Sequence, residues 1–459
     1  VISSWCRRRF PTINKLAPDI LVAGGGPAGC AAAIGLRRLG YSVVLVHQPR
    51  PWPSVEGISA RTIEGMRNAG LLQAASTAAA ASPRRVSWNG ESSAANSEHL
   101  VQRRVLDAAL LEDAAGAGVQ LLPGRLRQCL HTPEQQIAHI DTLADGRLTV
   151  CARFLVEARG RAAPAAPANQ LRGPATVSFM RSSRGAPAAA GSIVCSFAAG
   201  WAWQACGGDG RHFLQFTVTS QEHSLPNRTR LQHWFQGELE RLPAEMRPPP
   251  DAGETSDIMA RGSSSILQGE LVTPGMLRVG DAAMAVDPLS GNGIFQALSS
   301  ALVAPPVINT LLQYPPDSQL AMEFYRDRVR HTFLRFARLG RDFYRLETRW
   351  PGNDFWRQRQ LWPDELPAHG ESAPQLLGIE LRPVVAGDRI CRRKVAVTSD
   401  QPLGIWHVGG VELAPLLELL PSAAAARRAT LAERTAAAGA GDANRQAMLE
   451  AWLRRYRQL

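Results

Sequence analysis

The spacing Gly24-x-Gly26-x-x-Gly29 is the first place in the chain where residue types point to chemistry. It stands between an apolar run, Asp19 to Ala23, and an Ala-rich stretch reaching Leu39; a second apolar run follows at Ser42 to Val46. This is the pattern of a βαβ unit. In such a unit Gly24 permits the tight turn, Gly26 lets the backbone approach a pyrophosphate, and Gly29 lets the helix pack close to the strand. Pro27 and Ala28 begin the helix, whose free N–H groups and positive dipole end would face two phosphates. An acid normally closes the second strand and holds ribose hydroxyls. His47 stands there instead, followed by Gln48, and either side chain can hydrogen-bond a hydroxyl.

A second glycine pair has the same logic. The stretch from Gly275 reads as a short strand running into Gly280-Asp281, then Asp287-Pro288-Leu289 and Gly291-Asn292-Gly293, with a helix to about Val303 that stops before Pro305-Pro306. A GxG backbone at a helix N-terminus suits an anionic ligand group. Trp201 and Trp203 lie two apart in an extended stretch, so both indoles share one strand face, either lining a pocket or packing in a half-buried sheet. Glu56, Arg61 and His212 are polar candidates for a proton relay, although residues of these types are more often surface or structural.

The elements that must position these residues need a large chain. With 459 residues, 45 % hydrophobic and 20 % charged, the protein is expected to fold into more than one domain. The predicted class is α/β. A discontinuous Rossmann-like, ββα-type dinucleotide domain is expected over 18–165 and 270–315, and a second domain on an antiparallel sheet over 166–269, where strands such as Ser192 to Phe197 and His212 to Thr219 alternate in character. A long helix with its following segment fills 316–400, and a small helical appendage 401–459. Between them, Arg103 to about Gly116 reads as a helix and the stretch ending Glu157-Ala158-Arg159-Gly160-Arg161 as a strand with a Gly turn.

Net charge +11 comes almost wholly from arginine, Lys15 and Lys394 being the lysines. Ten arginines against four acids fall between Arg326 and Arg359. On the long helix Tyr325, Val329, Phe333, Phe336 and Phe343 share one face and Arg338, Arg341, Arg345 and Arg349 the other, which reads as a solvated basic face or as a docking surface for an acidic partner. Nucleic acid is disfavoured, because no aromatic-interleaved basic repeat accompanies the charge. Seven scattered cysteines without a CxxC pair argue against a disulfide framework and against a zinc site. No window approaches eighteen consecutive apolar residues and Val1 to Pro18 has no apolar core, so neither a membrane span nor a signal is expected and the location is read as cytoplasmic.

Four segments taken together, Gly24 to Gly29, Arg103-x-x-Leu106-Asp107, Glu157 to Arg161 and Gly280-Asp281 to Gly293, resemble the FAD-dependent monooxygenase and halogenase superfamily of para-hydroxybenzoate-hydroxylase-like fold, over about Pro18 to Tyr344. The resemblance implies that Gly24, Gly26 and Gly29 hold the FAD pyrophosphate, Arg103 reaches the phosphates, Asp281 bonds the ribitol, Pro288 lies over the flavin, and Gly291, Asn292 and Gly293 present N–H groups to its N1/C2=O edge. It also implies O2 as co-substrate, a flavin C4a-hydroperoxide as oxidant, and electrons from NAD(P)H or an external flavin reductase.

Val55-Glu56-Gly57-Ile58 resembles part of the halogenase branch, yet no lysine occurs between Gly65 and Gly90, and Ser290 rather than Glu follows Asp287-Pro288-Leu289. Monooxygenation of an electron-rich ring is therefore expected. Trp201-Ala202-Trp203 resembles a halogenase tryptophan pair without its following Ile-Pro. Met284 where phenol hydroxylases carry His, the absent lysine and the extra C-terminal segment resemble the branch that hydroxylates a peptidyl tryptophan during tryptophylquinone cofactor biogenesis, which implies a tryptophan-containing protein subunit as substrate. Alternatives are a free indole or other aromatic metabolite, a flavin-dependent isoprenoid reductase, and a basic nucleic-acid or protein-binding scaffold.

Overall fold

Near-continuous apolar runs make the central parallel strands, because strands covered on both faces have no solvent side to alternate with. In the computed structural model Ile20–Ala23, Val43–His47 and Phe154–Glu157 pair in parallel, with Ile20 opposite both Val43 and Phe154. The structure describes residues 15–456 apart from 133, 143–145, 188, 222–226, 228, 248–252, 254, 369–373 and 420–442. Among these a nine-stranded sheet is centred on the three strands; Gln120–His131, Gln136–Thr142 and Arg147–Ala152 extend one side and Met276–Arg278 the other. Helix Pro27–Arg38 packs on it with Cys30, Ala31, Ala32, Ala33 and Leu36 nearly inaccessible, small side chains that let helix and sheet approach closely.

The second sheet has eight strands and is antiparallel except where Ala81–Trp88 runs parallel to Gly191–Phe197. It differs from expectation in its membership. Val55–Ile58, Ala81–Trp88 and Glu91–Gln102 come from the stretch assigned by sequence to the dinucleotide domain, and they join Thr176–Arg184, Gly191–Phe197, Gly200–Cys206 and Arg211–Thr219. Residues 55–102 thus cross between the sheets, and Arg103, first residue of helix Arg103–Gly116, sits where the chain returns.

Gly293–Leu302 and Ala304–Gln313 form two successive helices, the second opening with Pro305 and Pro306 in its first turn, where proline lacks no needed donor. Together they are apolar enough to resemble a span, with 72 % of the window buried inside the protein.

The long helix, Ser318–Arg345, has a different buried stripe from the one read in the sequence. Tyr325, Val329, Phe333, Ala337, Arg341 and Tyr344 face inward, a run of four-residue steps closed by one of three, whereas Phe336 and Phe343 are half-buried. Arg341 is therefore interior, paired with Asp342 at 2.6 Å. The other three arginines of the expected docking face are also paired: Arg338 with Asp364 at 2.8 Å, Arg345 with Glu365 at 2.7 Å and Arg349 with Glu347 at 2.8 Å. A face so neutralised does not offer four free cations to an acidic partner.

The last part is less purely helical than expected. Leu376–Ala386, Arg389–Thr398 and Gln401–Ile405 form an antiparallel sheet that carries the chain across residue 400. Helices Leu413–Leu419 and Ala443–Arg455 pack against it through Leu416, Leu449, Trp452 and Leu453. The Ala/Arg-rich stretch 420–442, read as helical, lies outside the described residues, as does Cys6.

Candidate active site

One cavity of about 1650 Å³ runs between the two sheets, and most of the residues singled out by sequence reach it. At one end Gly24 has φ +120°, and a Cβ on it would stand 2.3 Å from the Ala158 carbonyl oxygen. A Cβ on Gly29 would meet the Gly24 carbonyl oxygen at 1.9 Å. Gly26 is different: nothing lies within 4 Å of its Cβ position, so its backbone is bare toward the cavity. Gly26 also caps helix Pro27–Arg38 without any side-chain cap, which leaves the first N–H groups available to a ligand. His47 ends its strand beside Gly25, half-buried on the cavity wall, and burial pushes its pKa down.

Arg103 is the centre of an ion-pair chain. Its guanidinium donates to Glu56 Oε1 at 2.6 Å and to Asp107 Oδ1 at 2.8 and 3.1 Å, and Arg50 Nε donates to Asp107 Oδ2 at 3.1 Å. Burial would strip the proton from Arg103, but Glu56 and Asp107 more than compensate and raise its pKa. Burial likewise opposes the Glu56 charge, and Arg103 with Arg261 overcomes it, so Glu56 is held ionised. Glu56 spends that charge on Arg103.

The chain's second glycine pair closes the other side. Gly280, at φ +61°, is pressed against helix Pro27–Arg38, its Cβ position 2.8 Å from Ala28 Cβ, and this brings Asp281 near the first glycine loop. Asp281 opens onto the cavity with Arg161 Nε at 3.5 Å; burial raises its pKa against the pull of Arg161 and Arg261. Pro288, Gly291 and Gly293 line the cavity, while Asn292 turns its amide back onto the Ser290 carbonyl at 2.7 Å and is not on the wall. Helix Gly293–Leu302 has no side-chain cap. Arg84 reaches this loop from the second sheet, its Nη1 3.5 Å from the Cβ position of Gly291.

Trp201 and Trp203 line the same cavity. Trp201 is 2 % exposed, and its Nε1–H donates to the Tyr344 hydroxyl at 3.0 Å. Tyr344 in turn donates to Asp287, at 3.1 Å to Oδ2, and Asp287 also accepts the Leu289 N–H at 2.9 Å. Burial raises the pKa of both Asp287 and Tyr344. Trp203 is fixed by an edge-on contact with Phe213, centroids 6.0 Å apart. Glu56, Trp201, Trp203 and Pro288 therefore share one cavity. His212 does not: it is buried beside Gln204 and Cys206, away from the cavity wall. Arg61 lies over the Phe295 ring, also off the wall.

Sequence reasoning passed over the Asp287–Tyr344–Trp201 chain. The carboxylate just before Pro288 was a signal that could have found its first member. Tyr344 is 57 residues from Asp287 and 143 from Trp201, a distance no local pattern spans.

A family profile described as FAD dependent oxidoreductase matches residues 19–170. A stretch of 102 residues is 33 % identical to a tryptophan 2-halogenase of Chondromyces crocatus, covering 22 % of this chain and about a fifth, 19 %, of that protein's length. Among solved structures, the peptidyl tryptophan dihydroxylase QhpG, described as essential for tryptophylquinone cofactor biogenesis, superposes with a TM-score of 0.80 at 43 % identity, covering 96 % of this chain and 99 % of that one. The flavin-dependent halogenase CmlS superposes with a TM-score of 0.74 over 98 % of this chain and 95 % of its own, at 16 % identity, a likeness of fold alone. Identity at the QhpG level across nearly the whole length of both chains decides the matter: this chain belongs to the QhpG family of FAD-dependent oxidoreductases.

Proposed function

We propose that this chain is a flavoprotein monooxygenase that hydroxylates the indole ring of a tryptophan held within a polypeptide. The observation that carries this reading is the 43 % identity, over 96 % of the chain, with a protein named as a peptidyl tryptophan dihydroxylase. Gly24, Gly26 and Gly29, with Pro27 and Ala28 at the helix start, would hold the FAD pyrophosphate; His47 would meet the adenosine ribose, Asp281 the ribityl chain, and Pro288 with Gly291 and Gly293 the isoalloxazine. The fit rests on the open backbone at Gly26, the two crowded glycines beside it, and the uncapped helix at the second loop. When bound and reduced, FAD supplies the activation of O2 that puts an oxygen atom on an electron-rich ring, with electrons from NAD(P)H or a separate reductase.

The chain's own residues do the rest. The Gly291 N–H is bonded to the Pro288 carbonyl and the Asn292 N–H to Ser290 Oγ, so it is the Gly293 N–H and the positive end of helix Gly293–Leu302 that favour negative charge on whatever lies against them. Arg103 is locked between Glu56 and Asp107, so its positive charge is fixed in place without rotamer freedom. Trp203, half-buried on the wall, presents aromatic surface against which a substrate ring can stack or pack edge-on, and Trp201, tethered through Tyr344 to Asp287, fixes the wall beside it. The cavity exceeds the ~300–1,000 Å³ usual for one small-molecule site, which leaves space for a second ligand beside a dinucleotide. No disulfide joins the cysteines among the described residues, and we assign the protein to the reducing cytoplasm on that ground.

The test supplies reduced FAD and 18O2 to the protein with a tryptophan-containing polypeptide in one reaction and free tryptophan or indole in another. Mass gain on the polypeptide tryptophan is expected. Gain confined to the free indoles replaces the substrate class, and flavin oxidation with no label in any product overturns monooxygenation.

A further inference from the structure

The cavity carries more positive charge than a dinucleotide can use. Ten arginines line it against seven carboxylates, Glu56, Glu98, Asp107, Asp281 and Asp287 on the wall and Asp141 and Glu157 paired with Arg127 and Arg159 from behind it, and a pyrophosphate adds only two negative charges. Most of the inner arginines are spoken for: Arg50 and Arg103 by Asp107 and Glu56, Arg84 by Glu98 at 4.0 Å, Arg161 by Asp281 at 3.5 Å. Arg172 and Arg261 are not. Among the described residues neither side chain has an ion pair or a hydrogen bond, which is also true of Arg104 and Arg125 on the wall, and Arg261 Nε, like Arg84 Nε, is buried without a hydrogen-bond partner, a state that costs free energy unless something else binds there.

These two and Arg161 converge on one segment. Arg261 is on the edge strand Met259–Gly262, opposite Ser178. Three residues on, the Ser264 carbonyl accepts Arg161 Nη1 at 2.7 Å. Arg172 is registered opposite Ile266. The Arg261 charge acts on Glu56, Asp281 and Arg161, and the Arg172 charge on Arg161, so all three guanidiniums address the same stretch of cavity. Arg172 is solvent-exposed and Arg261 half-buried, which sets the free cations at the rim. Two guanidiniums with unused donors match a carboxylate, which accepts paired N–H bonds in one plane.

We propose that Arg172 and Arg261, backed by Arg161, form a carboxylate-reading rim that binds an acidic side chain next to the target tryptophan of the polypeptide substrate. This rests on the polypeptide reading above and narrows it: the substrate is acidic near the reacting residue, and the recognition lies at the cavity and not on the long arginine-rich helix. A polypeptide is favoured over a free metabolite by the exposure of Arg172, since a rim residue is positioned to hold the flanks of a longer ligand while the ring enters.

The test is binding, measured apart from turnover. Two fluorescein-labelled peptides, identical except that one carries Glu and the other Gln on both sides of a single tryptophan, are titrated by anisotropy with the FAD-loaded full chain at low and high salt. The Glu peptide is expected to bind about tenfold or more tighter, with the gap narrowing in salt. Arg261→Gln is expected to abolish the preference, and so is Arg172→Glu, an exposed change that leaves the interior intact, both with flavin content unchanged. No preference in the wild type, whether both peptides bind alike or neither binds, overturns the proposal. Flavin loss in both variants also overturns it, by making the arginines cofactor ligands, as does slowed flavin reduction by NADPH with peptide affinity retained. Failure of 18O incorporation with the binding preference intact would instead sink the monooxygenase reading and leave the rim standing.

Discussion

Glu347→Gln is a sharp test of how the long helix is fixed over the cavity. Glu347 is 1 % exposed and follows Tyr344 by three residues. Its carboxylate accepts from Ser196 Oγ at 2.6 Å on the second sheet, from Asn89 N–H at 2.9 Å in the turn after Ala81–Trp88, and from Arg349 Nη2 at 2.8 Å. Burial alone would raise its pKa, but these bonds from Arg349, Ser196 and the backbone prevail and hold it at about 2. Against an ordinary glutamate near ~4.3, the gap is about two pH units at ~1.4 kcal/mol each, so the native contacts of the ionised form contribute about 3 kcal/mol at neutral pH. Because the folded pKa is depressed, that stability is fully present above the unfolded value and is lost as pH falls from about 5 toward 2. Urea denaturation followed by tryptophan fluorescence should show the variant about 3 kcal/mol less stable than wild type at pH 7, with the difference shrinking steadily below pH 4. A deficit under 1 kcal/mol at pH 7, or one of equal size at pH 7 and pH 3, refutes the assignment.

Other outcomes follow from the same geometry. Tyr344→Phe leaves the Trp201 N–H and the Asp287 carboxylate without their shared hydroxyl, at a cost of about 1–3 kcal/mol; oxygen transferred per flavin oxidised, measured by product and peroxide, should fall while flavin content stays constant. Gly24→Ala places a methyl 2.3 Å from a backbone oxygen at φ +120° and should cost about 3 kcal/mol or more, seen as loss of the visible flavin absorbance after purification. Arg103→Ala takes from Glu56 its hydrogen-bonded cation, Asp107 keeping Arg50, and should destabilise by about 1–3 kcal/mol; Arg103→Lys, unable to span both acids, should recover only part of the loss in the same urea titration.

The parts of the fold that were legible are those written in consecutive residues. Gly24 to Gly29 announces its turn because strand, loop and helix are adjacent in the chain, and each glycine answers to a contact that exists. The strands at 81–102 were missed because Ala81–Trp88 and Glu91–Gln102 are rich in Ser, Ala, Arg and Glu. They are held by pairing with each other and with Gly191–Phe197, and not by an apolar face that would alternate visibly. His212 illustrates the converse: a histidine on a strand near two tryptophans looks chemical in one dimension, yet its side chain meets Cys206 and Gln204.

The arginines show most clearly where one-dimensional reading stops. A count over 326–359 finds the excess of charge, but which guanidiniums remain free is a property of pairs. Arg338 and Arg345 meet Asp364 and Glu365 from beyond the counted window, and Arg341 is drawn inward by the helix's own period. Arg172 and Arg261, in a stretch whose charge density attracts no notice, are among the cavity arginines left without carboxylates within the described residues. Net charge therefore locates neither the docking face nor the site. What points to them is the difference between the cations a cavity holds and the anions its own walls supply, because a guanidinium nitrogen buried without an acceptor, as Arg261 Nε is, regains free energy when a ligand restores its bonds.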